Sequence, residues 1–205
     1  MREVLRDGHT EGRVELNGLV GPHTIAVGAM AGLAAEITID RGHADLAEVL
    51  DAQAADGLLI RHPQPGEEAA LLLLANVPEW TQHRLPAVPD LASLERAVCE
   101  AAQAVGIDTS GPVPFRVEGI AKQLQLHVLD HSCPIADPDG PAPWTYKGSG
   151  DAVVLVGFYA ENAGGVLTHH GQSSHVHAIV PAQHVSGHLD ALSMMPTGIL
   201  FLPAR

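Results

Sequence analysis

The segment Ser174-His175-Val176-His177-Ala178-Ile179-Val180 sets the tightest limit on what this chain can fold into. Val, Ile and Ala around the two histidines favour a short β-strand, and alternate side chains of a strand share a face, so His175 and His177 look the same way. A third histidine, His188, follows His177 by eleven residues, across a polar stretch long enough to reverse the chain and return it on a neighbouring strand. Gly187 beside it lets another backbone approach closely. Three neutral imidazoles suit Zn²⁺ or a similar divalent ion, because they hold the metal firmly and leave positions for water or substrate. The plainer reading is compositional: the chain carries thirteen histidines, and His169, His170 and His184 crowd the same region, where they would bind metal only weakly.

A chain of 205 residues has room for one large core or two small, closely joined ones. Its apolar fraction of 46% with only 3% aromatic residues means a folded protein whose core is built from Leu, Val, Ile and Ala. The formal charge of −13 argues against a nucleic-acid partner, and any pocket for an anion needs a local cation or metal. Cys99 and Cys133 make no disulfide framework and are read as thiols. Residues 1–7 lack the apolar run of a signal peptide and no stretch reaches transmembrane length, so the expectation is a cytoplasmic protein with no membrane partner.

Strand patterns recur along the chain. Ala35-Glu36-Ile37-Thr38-Ile39-Asp40 alternates, with Glu36 and Thr38 on one face and Ile37 and Ile39 on the other, and Asp40-Arg41-Gly42 supplies a turn. On composition alone Glu36 is an ordinary solvated strand residue. Asp45 to Gln53 reads as a short helix or a hairpin, Gly57 to Arg61 as a strand, and Ala69 to Val77 as a buried strand or a helix. Leu91, Leu94, Val98, Ala101 or Ala102 and Val105 form the clearest helical stripe, ended by Gly106. Phe115-Arg116-Val117-Glu118-Gly119 and Leu124 to Leu129 are two further strands, Asp130 to Gly148 a Pro/Gly-rich loop or lid, and Ala152 to Tyr159 a buried strand. An arginine on a central strand needs a carboxylate partner or an anionic ligand, so Arg116 is either paired with a glutamate or part of a binding site. The fold class expected is α+β: mixed β-sheets with few helices, in one unit with subdomains at 1–89 and 90–205.

Together these pieces resemble the acetolactate decarboxylase family. Gly32 to Ile37 with Asp40-Arg41-Gly42 looks like that family's strand bearing an active-site glutamate, and Phe115 to Gly119 like its strand bearing the substrate-binding arginine. Ala152 to Phe158 matches the apolar strand before the metal motif, and His175-x-His177 with Gly187-His188-Leu189-Asp190 looks like its three-histidine zinc motif. The family's second active-site glutamate has no counterpart, since no Glu occurs from Leu189 to Arg205; a water, Glu118 or a carboxylate from another segment would substitute.

The resemblance implies a homodimeric, metal-dependent carbon-carbon lyase that converts (S)-2-acetolactate to (R)-acetoin and carbon dioxide. His175, His177 and His188 would hold Zn²⁺ or another divalent transition metal, which acts as an electron sink. Arg116 would bind the carboxylate of the small anionic 2-hydroxy-3-oxo acid, and Glu36 would handle the proton that sets product chirality. Thr38, His169 and His170 are accessory candidates. Two alternatives stay open: a related metal enzyme acting on another 2-hydroxy-3-oxo acid, and a non-catalytic metal-binding module of related fold. The latter is sometimes joined to DNA-binding hooks, for which no Arg-Gly-Arg segment exists here.

Overall fold

The computed structural model describes residues 4, 7–161, 163–164 and 172–204. His169 and His170 lie outside the described residues. The molecule is mostly β and builds two antiparallel sheets. The first contains β1 (Val14–Glu15), β2 (Thr24–Met30), β3 (Glu36–Asp40), β4 (His43–Val49), β5 (Leu58–Arg61) and β6 (Glu68–Asn76), in the order β1-β6-β2-β3-β4-β5. The second contains β7 (Trp80–Arg84), β8 (Val113–Val128), β9 (Trp144–Gly148), β10 (Asp151–Tyr159), β11 (Ser174–Val180), β12 (Val185–Met194) and β13 (Ile199–Pro203). Helix α1 (Leu91–Ala104) separates β7 from β8.

The second sheet closes on itself because β8 changes neighbours along its length. Its first half pairs with β10 and β13, its second half with β12 and β9, and β10-β11-β12 completes the ring as a small barrel. Gly119 stands where the change occurs, and a Cβ there would come within 2.7 Å of Met194 Cε. The barrel interior is filled by Phe115, Val117, Leu126, Leu155, Val176 and Leu189, and Leu94, Val98 and Ala102 of α1 pack into the same core. Asp90 starts that helix by accepting from the Ser93 amide at 2.8 Å, and Gly106, at a φ of 72°, ends it. The stripe read from the sequence is therefore the buried face. Glu95, beside that stripe, accepts from the Ser173 amide at 2.9 Å and from Ser174 Oγ at 2.7 Å, anchoring the start of the histidine strand.

The alternation of β3 decides how the sheets meet. Ile37 and Ile39 are fully buried on one face, with Leu16, Ala26 and Leu46. Glu36, Thr38 and Asp40 occupy the other, which looks at the barrel, where Ile25 and Val27 of β2 pack on Val156 and Phe158 of β10. Arg41 and Gly42, at φ of 51° and 81°, make the tight turn of the β3-β4 hairpin, the conformation that matches strand twist.

Several ambiguous segments resolve as strands. Asp45 to Gln53 is no helix: it begins in β4, which pairs with β3 and β5. Ala69 to Val77 falls on β6, and the two strands expected across 115–129 are one sixteen-residue strand, β8. The 130–148 excursion is shorter than expected, because its last five residues are β9. The passage from one sheet to the other occurs between Asn76 and Trp80, since β7 pairs with β13 of the barrel.

Candidate metal centre

β11 and β12 are antiparallel neighbours with His177 directly opposite His188, and His175 lies two residues along on the same face. The three rings come together with centroids 5.0–5.6 Å apart, and ligand atoms from all three lie within 4.8 Å of one another. All three residues are buried, His177 completely. Gly187 has the role expected of it: a Cβ there would sit 2.6 Å from the His127 carbonyl oxygen of β8.

The polar face of β3 supports this cluster from the opposing sheet. Thr38 Oγ1 is 2.9 Å from His177 Nδ1 and accepts a hydrogen bond from Ser186 Oγ at 2.9 Å. With His177 Nδ1–H donating to Thr38, Nε2 keeps its lone pair for a metal, the support that metal-ligating histidines use. Glu36 Oε2 lies 3.6 Å from that Nε2, and Glu36 is only 4% exposed. Burial drives its pKa up to about 7, against the opposing influence of His127 and a hydrogen bond from the Leu129 amide. The donor set, three buried imidazoles with a hydroxyl behind one of them and a carboxylate alongside, fits Zn²⁺ or another borderline divalent ion.

A cavity of about 410 Å³ opens beside the cluster. Glu36, His175 and His188 line it together with His127, Asp190 and the loop residue Ile135. The sequence reading missed two of these residues. His127 lies directly opposite His188 on β8, and its Nδ1 is 2.7 Å from Asp190 Oδ1. Burial opposes a charge on this imidazole, but the Asp190 hydrogen bond and the Glu36 and Asp190 carboxylates outweigh it and raise its pKa. The ladder between β8 and β12 skips Asp190, which makes it the bulged residue and turns its side chain toward His127. The available signals were a histidine on an alternating strand and a carboxylate two residues beyond His188.

Arg116 is placed elsewhere. It pairs with Val156 on one side of β10 while His177 pairs with Val156 on the other, so arginine and histidine share a face two strands apart, roughly 10 Å at ordinary strand spacing. Its Nε and Nη2 donate to the two Asp40 oxygens at 2.7 and 3.0 Å, and Nη1 donates to Glu118 at 2.5 Å. The guanidinium also lies over the Phe201 ring. Arg116, Asp40 and Glu118 do not line the histidine cavity. Of the residues named from sequence, the structure gathers Glu36, Thr38, His175, His177 and His188, and sets Arg116 and Glu118 apart as an ion-pair group with Asp40.

No family model matches the sequence, and no curated protein matches it by sequence. Solved structures do match in fold. Acetolactate decarboxylase from Bacillus subtilis subspecies spizizenii superposes with a TM-score of 0.71 at 15% identity, over 100% of this chain and 84% of that one. The α-acetolactate decarboxylase of Bacillus subtilis strain 168 gives 0.69 at 15% identity, over 100% and 83%. A Staphylococcus aureus protein of unknown function, described as similar to α-acetolactate decarboxylase, gives 0.66 at 13% identity, over 97% and 80%. The chain therefore has the acetolactate decarboxylase fold. Among the described residues no helix is long and apolar enough to cross a membrane.

Proposed function

We propose that this protein is a metal-dependent decarboxylase of 2-acetolactate or a close 2-hydroxy-3-oxo acid, releasing carbon dioxide and a hydroxyketone. The observation that carries the reading is the buried His175-His177-His188 group, opening with Glu36 onto a cavity in a fold shared with acetolactate decarboxylases. Zn²⁺ or a similar ion held by the three histidines would supply a Lewis acid that stabilises the negative charge left on the substrate when carbon dioxide departs.

The remaining tasks fall to side chains at the cavity. An anionic substrate entering a protein of charge −13 needs a cation, and His127 lines the cavity whereas Arg116 is committed to Asp40 and Glu118. With Nδ1 engaged by Asp190, the other nitrogen of His127 is the one left to meet a carboxylate. Arg116 takes the part of a clamp between the sheets. Glu36 would deliver a proton from its carboxyl oxygen to one face of the carbon that has lost carbon dioxide, making the product chiral. Asp190 supplies a second carboxylate, in the segment where the family's glutamate is missing.

Product chirality tests these assignments. With zinc-loaded protein and racemic 2-acetolactate, Glu36→Gln is expected to lower turnover and the enantiomeric excess of acetoin, and His127→Ala to raise KM more than it lowers kcat. Wild-type values in both variants would overturn the residue roles.

A further inference from the structure

We propose a second divalent transition-metal site, formed by His43, Asp45 and His62 at the outer strands of the first sheet. The β-pleat assembles it. His43 and Asp45 are alternate residues of β4 and so share a face, and Leu46 pairs with Arg61, which brings the next residue of the other strand, His62, beside Asp45. Ligand atoms from the three lie within 4.8 Å of one another, and the two rings meet edge to face at 5.0 Å.

Three details point to a cation rather than to a chance meeting of surface histidines. His62 Nδ1 is 2.8 Å from the Ala44 carbonyl, which can only accept, so Nδ1 carries the proton and Nε2 keeps its lone pair for a ligand. His43 Nε2 stands 3.2 Å from Asp45 Oδ1, close to the roughly 3.3 Å that separates two ligands each about 2.0–2.1 Å from a tetrahedral ion. Asp45 is a buried carboxylate, only 8% exposed, so a divalent ion would offset the cost of keeping its charge away from water. Two imidazoles and one carboxylate select Zn²⁺, Co²⁺, Ni²⁺ or Cu²⁺ over Mg²⁺ or Ca²⁺. The cavity in front, about 690 Å³ and also lined by Arg61 and His184, leaves the remaining coordination positions to water or a small ligand.

This site has a different ligand set from the His175-His177-His188 group, so one experiment separates the two. The purified full chain, stripped of metal, is titrated with Zn²⁺ against a chromophoric chelator. Two ions per chain are expected for wild type, with the weaker Kd on the order of 1 μM. His62→Ala and Asp45→Asn should each lose one ion, or weaken it at least about 100-fold, and His177→Ala should lose the other. Co²⁺ absorption should show two additive spectra in wild type and one in each variant. His62 is exposed, so its replacement leaves the fold intact. Wild type binding one ion that His177→Ala retains and His62→Ala loses would support this site while sinking the first. Unchanged stoichiometry and affinity in both His62→Ala and Asp45→Asn would overturn the proposal. So would an equal loss in His83→Ala, since His83 is a histidine of β7 that belongs to neither group and its effect would mark the second ion as adventitious histidine binding.

Discussion

Thr38 on β3 and His177 on β11 are joined across the gap between the two sheets by a hydrogen bond of 2.9 Å. The contact fixes how the buried ring is turned, and Ser186 fixes the hydroxyl in turn. One sheet therefore orients an imidazole that the other sheet carries.

Thr38→Val keeps the shape of the side chain and removes the hydroxyl hydrogen-bonded to Nδ1. Zinc affinity is expected to fall by roughly 10–100-fold, with Thr38→Ser near wild type. Chelator competition reads both. Equal affinity in Thr38→Val would show that the Thr38 contact does not prepare the His177 ring for a metal.

The Arg116 group predicts a split between stability and turnover. Arg116 and Asp40 are 5% and 15% exposed, so Asp40→Ala leaves Nε and Nη2 of a buried guanidinium without their acceptor, with only Glu118 still paired, and is expected to destabilise by about 3 kcal/mol. Glu118 is 44% exposed, and Glu118→Ala should cost less than about 1 kcal/mol. Arg116→Lys should lower Tm while the folded protein keeps kcat/KM within about threefold of wild type. A loss of about 10²-fold without a change in Tm would return Arg116 to the substrate.

The loop that delivers His62 has its own pH signature. Arg61 donates to both Glu67 oxygens at 3.0 and 2.7 Å, and Glu67 Oε2 also accepts from the Gln64 amide. The hydrogen bonds from Arg61, foremost among these effects, hold the Glu67 pKa below its ordinary 4.5. A depressed carboxylate contributes stability that is complete above the unfolded value and is lost as pH falls through the folded one. Glu67→Gln should therefore be less stable than wild type by about 1 kcal/mol at pH 7, and the difference should close below pH 4.5. Urea melts of the two proteins at pH 7, 5 and 3.5 measure it. A gap that does not narrow at all between pH 5 and pH 3.5 would show that the ionised carboxylate is not its source.

What the sequence disclosed depended on how local the signal was. The alternation of Glu36 to Asp40, the helical stripe from Leu91 to Val105 and the pairing of His175 with His177 are periodic over a few residues, and the structure shows all three. Apolar runs such as Leu71-Leu72-Leu73-Leu74 suit a helix or a buried strand equally, and only pairing with β2 decides. Arg116 was legible as an arginine needing a partner, but Asp40 lies 76 residues away, a distance no local pattern spans. His127 and Asp190 were hidden for the same reason: their meeting, 63 residues apart in the chain, depends on β8 running alongside β12 and on a bulge at Asp190.

The measurement closest to the central claim is carbon dioxide release from racemic 2-acetolactate by the metal-stripped and the zinc-reconstituted protein, with His177→Ala beside them. Turnover that appears only on reconstitution and falls at least about 10²-fold in His177→Ala is the predicted result. Failure of the reconstituted wild type to release carbon dioxide from acetolactate and from its larger 2-alkyl analogues would contradict it.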